Sequence, residues 1–232
     1  MTGRLAVPGA RFHKTASISH LIVLAVAAAG GCGDRSPSTA TTGNNASPTT
    51  VTAAAPAPKP LDHHHPVVRI ETNQGAITVR LDAVNAPGTV RNFLNYAGEG
   101  FYDNTLVHYT DPGKMILAGG YTRDGQAKPS RPPIRNEAHN GLKNARGTIA
   151  MARDQSLIDN ATSQFFINLA DAPQRDHQGN GPDQYGYCVF GEVIEGLDVA
   201  ERISRSSTTD RGGDLRQVPQ PAVVISTVRV VR

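Results

Sequence analysis

The chain has no tryptophan, only two cysteines, and aromatic residues at 5% of its 232 positions. Two cysteines cannot build a disulfide framework, so the fold must rest on apolar packing. Hydrophobic residues at 38% allow one packed core, while a mean hydropathy of −0.33 indicates that part of the chain dilutes it. A length of 232 residues leaves room for one ordinary domain plus extra segments. Positive charge is lacking where a nucleic-acid partner would need it. The net +3 sits in residues 1–65, with five basic and two acidic side chains, whereas residues 66–232 carry 18 of each. Counterion release needs a basic surface and none is visible in the composition of this neutral domain, so the electrostatic argument for DNA or RNA falls away and no nucleic-acid partner is expected. The sequence also lacks a glycine-rich phosphate loop, a Gly-x-Ser-x-Gly elbow, and a Cys or His pair at metal spacing within the domain. Ordinary hydrolase, nucleotide and metal chemistry lose support, and no cofactor is expected.

What is present falls into three segments. Residues 1–32 carry Arg4, Arg11 and Lys14, then an apolar run of 11 residues from Leu21 to Gly31 that ends at Cys32. A permanent membrane span takes about 20 residues, so this run reads as an export signal. Ala29, Gly30 and Gly31 directly before Cys32 resemble a bacterial lipobox, which would make Cys32 a lipidated N-terminus and place the protein on a membrane of the cell envelope. The alternative is cleavage after Ala27-Ala28-Ala29, giving a soluble periplasmic or secreted protein. Residues 33–65 form a tether: between Ser36 and Pro60, 20 of 25 residues are Ser, Thr, Ala or Pro, too few apolar groups to offset their ordering entropy. His63, His64 and His65 close it, with no cysteine or carboxylate cluster following at ligand spacing, and no metal is expected there.

Residues 66–232 form the domain. Val67 to Thr72 and Ala76 to Leu81 are β-rich runs joined by Asn73-Gln74-Gly75, a hairpin signature. Val90, Phe93, Leu94 and Ala97 repeat at helical spacing behind Pro87 and ahead of Gly98, and Leu197, Ala200 and Ile203 repeat likewise. Further short apolar runs lie at 106–110, 115–119, 147–152, 163–169, 187–193 and 223–231. Eight short strands separated by Gly and Pro point to a mainly β antiparallel barrel, a strand number whose interior side chains can fill. Cys188, inside one of these runs, reads as a small buried hydrophobe.

Three strings are distinctive: NEAHNGLKNARGTIAMAR (Asn136 to Arg153), SQFFINL (Ser163 to Leu169) and VFGEVIEGLDVAERI (Val189 to Ile203). They closely resemble the cyclophilin-type peptidyl-prolyl isomerases, particularly the bacterial branch, and the resemblance covers essentially all of residues 66–232. It implies a closed eight-stranded antiparallel barrel capped by two α-helices, and rotation about X-Pro bonds as the activity. It also implies a substrate groove at Met115, Met151, Ala152, Gln164, Phe166 and Tyr187, with His108 as a structural ring at its edge and Arg153 beside it as a cation that could reach in.

The resemblance breaks at the site itself. Where the family usually has Phe-His-Arg, this chain has Val107-His108-Tyr109, so a phenol replaces the expected guanidinium. Lys114 stands where an aromatic pocket residue is usual, and Leu117 replaces a glutamine. Gln174 and Arg175 fill places of an aromatic residue and a leucine. An ammonium at 114 must be desolvated in the ring pocket or swing away. Tyr109 offers one neutral donor and no fixed charge, so partial compensation is the expectation, and Gln164, which the resemblance implies would orient the arginine, is left to satisfy buried backbone. The expected protein is thus an exported, membrane-anchored, monomeric isomerase of proline-containing segments with weakened activity. The alternative is a non-catalytic module of the same fold that binds such segments.

Overall fold

The computed structural model describes residues 62–231. The leader, Cys32 and the tether up to residue 61 lie outside the described residues. Strands β1 (Val67–Thr72) and β2 (Gly75–Leu81) pair antiparallel from Val67 opposite Arg80 to Thr72 opposite Gly75. Gly75 closes the turn at φ 130°, a conformation that suits glycine. Thr72 secures it by donating its hydroxyl to the Gly75 carbonyl at 2.6 Å.

Helix α1 (Pro87–Gly98) begins without a side-chain cap from Ala86. Glu137, 48 residues after Thr89, supplies the cap instead. Its carboxylate accepts from the backbone N–H of Gly88 at 3.0 Å and of Thr89 at 2.8 Å, and from the Thr89 hydroxyl at 2.7 Å. These are donors that the first turn leaves unpaired. Then follow β3 (Thr105–Asp111), β4 (Met115–Thr122), β5 (Thr148–Met151), β6 (Phe165–Asn168), β7 (Val189–Glu195), helix α2 (Leu197–Ser204), β8 (Ser207–Thr209), β9 (Val218–Gln220) and β10 (Val224–Val230). Eight strands close into a barrel in the order β1-β10-β3-β4-β6-β5-β7-β2, and every neighbouring pair is antiparallel.

Strand alternation sorts the side chains into two sets. Ile116, Ala118, Ile149, Met151, Phe165 and Ile167 join the main core. Their neighbours Met115, Leu117, Ala150 and Phe166 turn the other way into a second apolar cluster. Both helices contribute to the main core. Phe93 of α1 packs its ring 5.4 Å from Phe165 and 5.3 Å from Phe190, and Ile203 of α2 faces Ile70, Ile116 and Ile225 around a residual space of about 10 Å3. That is about the least that one water needs, so this part of the core is filled by side chains.

The eight strands and two helices expected from the pattern are all present. The short ribbon β8–β9, paired from Ser207 opposite Gln220 to Thr209 opposite Val218, is additional. Three residues per strand, one of them Pro219, give no alternation to detect.

Candidate active site

The second apolar cluster forms a shelf on the outer face of β4, β6 and β5. Phe166 is its centre, paired in register with Leu117 on one side and Ala150 on the other. Met115, Tyr187 and Val189 are also buried in it, with Ala152 and Leu142 packed at the margin. The Tyr187 ring stands edge-on to Phe166 at 5.6 Å and 82°. Four of the expected groove residues, Met115, Leu117, Phe166 and Tyr187, are therefore brought together, with Ala152 beside them.

Met151 is not. It is 2% exposed and belongs to the barrel core with Ile149, because consecutive strand residues face opposite ways and Ala150 takes the outer face.

Tyr109 reaches the shelf through a break in strand register. Val107 lies opposite Ala118, both in the main core, yet Tyr109 lies opposite Leu117, so two steps along β3 match one along β4. His108 is the extra residue of this bulge, and the bulge re-aims Tyr109 from the interior to the outer cluster. Burial raises the Tyr109 pKa, with Asp111 adding and Arg175 opposing, so its hydroxyl stays protonated and able to donate at neutral pH.

His108 is 1% exposed, its ring 4.7 Å from that of Tyr121, and its Nδ1 has no hydrogen-bond partner. Burial drives its pKa down to about 4, against smaller opposing effects of the Leu106 backbone and Gln164. The imidazole is neutral and structural. Gln164 passes over Gly120, where a Cβ would lie 2.7 Å from its Cδ, so only glycine leaves it room. Its carbonyl accepts from the Ala152 N–H at 2.9 Å.

The three cations near the shelf behave differently from one another. Lys114 swings outward and is exposed, with its Nζ 3.2 Å from Asp111 Oδ2. Arg153 does not reach in. It is 8% exposed, and donates to the carbonyls of Gly186 at 2.7 Å, Asp154 at 3.1 Å, Leu157 at 2.9 Å and Pro182 at 2.5 Å. Its guanidinium lies 5.2 Å from the Tyr187 ring, so it staples the 153–187 segment behind the shelf.

Arg175, by contrast, enters the shelf from the opposite wall. Its guanidinium sits 5.2 Å from the Phe166 centroid, donating to Asn168 Oδ1 at 2.9 Å and towards Met115 Sδ at 3.0 Å. Burial lowers its pKa, while Tyr187, Asp111 and Tyr109 oppose that. Gln174 beside it is exposed.

The polar frame holding this wall was not singled out from sequence. Asn168, fully buried, donates to Asn144 Oδ1 at 3.2 Å and Thr148 Oγ1 at 3.0 Å, while Asn144 donates to the Arg175 carbonyl at 3.0 Å and the Tyr187 carbonyl at 3.3 Å. The signal available was three amide side chains, Asn136, Asn140 and Asn144, spaced along a segment without strand or helix periodicity. Such groups bind backbone where loops must be tied down. A cleft of about 600 Å3 shares Leu142 and Val189 with the margin of the shelf, is also bordered by charged groups of both signs, Asp62, Arg80, Lys143 and Glu192, and does not include Phe166.

Comparison with known proteins follows the same lines. The family model described as cyclophilin type peptidyl-prolyl cis-trans isomerase matches residues 67–230. Peptidyl-prolyl cis-trans isomerase A of Dickeya dadantii is 44% identical over 165 residues, 71% of this chain and 84% of the relative. Peptidyl-prolyl cis-trans isomerase B of Escherichia coli is 44% identical over 164 residues, 71% of this chain and 99% of the relative. A crystal structure of a Cryptosporidium parvum cyclophilin type isomerase, in the presence of the dipeptide Ala-Pro, superposes with a TM-score of 0.60 at 25% identity, covering 72% of this chain and 98% of that one.

Proposed function

The chain belongs to the cyclophilin-type peptidyl-prolyl cis-trans isomerases, and from that membership we propose an exported, lipid-anchored isomerase of X-Pro bonds whose turnover is reduced by loss of the usual arginine. The reaction rotates an amide through a barrier of about 18–20 kcal/mol and breaks no bond. Nothing in it calls for proton transfer, which suits a neutral His108. The task is to favour the twisted amide over the planar one. Phe166, Met115 and Leu117 offer an apolar seat for the proline ring, and the Tyr109 hydroxyl offers a donor to the amide as it loses resonance.

The observation that carries the reduced rate is Tyr109 on the shelf, delivered there by the bulge at His108. Removing a preorganised donor costs about 2.7–4 kcal/mol, roughly 10²–10³ in rate. A neutral phenol recovers part of that. In a prolyl isomerisation assay on several X-Pro peptides, the protein accelerates exchange measurably, and Tyr109→Phe lowers kcat/KM by about tenfold. No acceleration above buffer at high micromolar protein overturns the reading. Arg175 lying over Phe166 favours the second reading, a module that binds proline-containing segments without turning them over. Saturable binding of prolyl peptides without acceleration would select it.

Anchoring rests on the leader and Cys32, with the Ser, Thr, Ala and Pro-rich residues 33–65 as the link to a monomeric domain of residues 66–232. Fractionation tests it: the intact chain goes with membranes and Cys32→Ser is released. Equal release of both would make the exported protein soluble.

A further inference from the structure

Arg175 is a half-buried cation held by weak acceptors. A thioether is a poor hydrogen-bond acceptor, and a guanidinium over a phenyl ring gains only a modest attraction. Two of its five N–H groups are engaged, by Asn168 Oδ1 and Met115 Sδ. Among the described residues no carboxylate lies within 4.0 Å of it, because the neighbouring acids are committed elsewhere. Asp111 pairs with Lys114 at 3.2 Å; Asp176 lies 3.8 Å from Lys143 and accepts from the Asn144 N–H at 2.7 Å. Arg153, the other guanidinium bordering the shelf, also bonds only to neutral carbonyls. The shelf therefore carries a guanidinium without a paired carboxylate, and its central ring lies under that cation.

We propose that Arg175 makes this groove select prolyl segments with an acidic residue, Asp or Glu, next to the proline. The carboxylate draws the guanidinium off Phe166 and frees that ring face for the proline. The inference deepens the isomerase reading and rests on Phe166 being the proline seat. The physical basis is a difference in acceptor strength. A carboxylate accepts two parallel charge-assisted bonds from arginine, stronger than those to a thioether and a ring face. A neutral prolyl segment must displace the cation with nothing to offer it. Guanidinium and proline cannot stack on the same face of Phe166 together.

The test is equilibrium binding by calorimetry to the purified protein, with matched peptides carrying Glu or Gln beside a single proline. The Glu peptide should bind about tenfold or more tightly than the Gln peptide. Arg175→Leu should bring the two within about twofold, weakening the Glu peptide and strengthening the Gln one. Arg175→Lys should keep part of the preference, since it keeps charge without the fork. Equal affinities in the unmodified protein, no binding of either peptide, or a preference that survives Arg175→Leu would each overturn the proposal. The first of these needs no variant to fold. Turnover measured on the same peptides separates the two claims. Isomerisation with equal affinities leaves the enzyme reading standing and removes the acidic preference; a Glu preference without isomerisation does the reverse.

Discussion

Arg153 offers a sharp test of how the groove is built, because a cation beside the shelf invites a role in binding and the structure gives it another. Its guanidinium donates to four backbone carbonyls, of Asp154, Leu157, Pro182 and Gly186, which no regular element satisfies. Arg153→Met keeps the packing stem and removes every donor. Two of the carbonyls retain partial company: Gly186 also accepts from Asn136 Nδ2 at 3.1 Å, and Asp154 from the Leu157 N–H at 3.3 Å. Those of Pro182 and Leu157 lose the arginine bond outright. Both bonds are only part-buried, so the lower part of the roughly 1–3 kcal/mol for an acceptor left unmade applies to each, and the loss is roughly 2–4 kcal/mol. For a domain of this size that is a fall of roughly 5–15 °C in Tm. Arg153→Lys, with three donors and no fork, should lose about half as much. Urea unfolding followed by far-UV circular dichroism measures the change, and peptide binding is then measured where both forms remain folded. A variant of unaltered stability that had lost peptide binding would refute the staple and return Arg153 to the groove.

Other expectations follow from the same geometry. Because Arg175 already influences the Tyr109 hydroxyl, Tyr109→Arg alone should gain less isomerase activity than Tyr109→Arg with Arg175→Leu, the double variant approaching a gain of up to about 10²-fold; equal rates would remove the like-charge argument. His108 is held neutral with a pKa of about 4 against an ordinary 6.5. Its contribution to stability is therefore complete above pH 6.5 and lost as pH falls towards 4, by up to about 3 kcal/mol, as the unfolded chain takes up the proton first. Urea midpoints across that range should fall, and His108→Gln should flatten the slope. Glu137→Ala uncaps α1 and should cost about 1–2 kcal/mol in the same unfolding assay, with no new charge exposed at the shelf. Ile167→Ala, at a core position 1% exposed, opens space beside a gap of only about 10 Å3 and should cost about 2–5 kcal/mol.

The barrel was legible in the sequence because its strands are short, apolar and punctuated by glycine and proline, and period-two burial leaves a mark on any strand with one face in a core. Of the shelf residues, Phe166 was legible through the string SQFFINL that carries it, whereas Met115, Leu117 and Tyr187 lie outside the three strings and were legible only from their places in the family resemblance. Met151 was misplaced because two adjacent strand residues, Ala150 and Met151, differ only in which way they point, and facing depends on where the sheet's two sides are filled. The cap on α1 was hidden by the 48 residues between Thr89 and Glu137.

The sequence alone determined a neutral domain with eight barrel strands and two helices. These are properties of residue type, order and local period, which need no knowledge of what lies opposite. Only the tertiary structure decided which cation does what. Lys114, which had either to be desolvated in the ring pocket or to swing away, turns outward to Asp111; Arg153 is spent on carbonyls; Arg175 crosses from the far wall to lie over Phe166. A long charged side chain has several directions open to it at little cost, and the one it takes depends on the nearest acceptors that folding brings from distant parts of the chain.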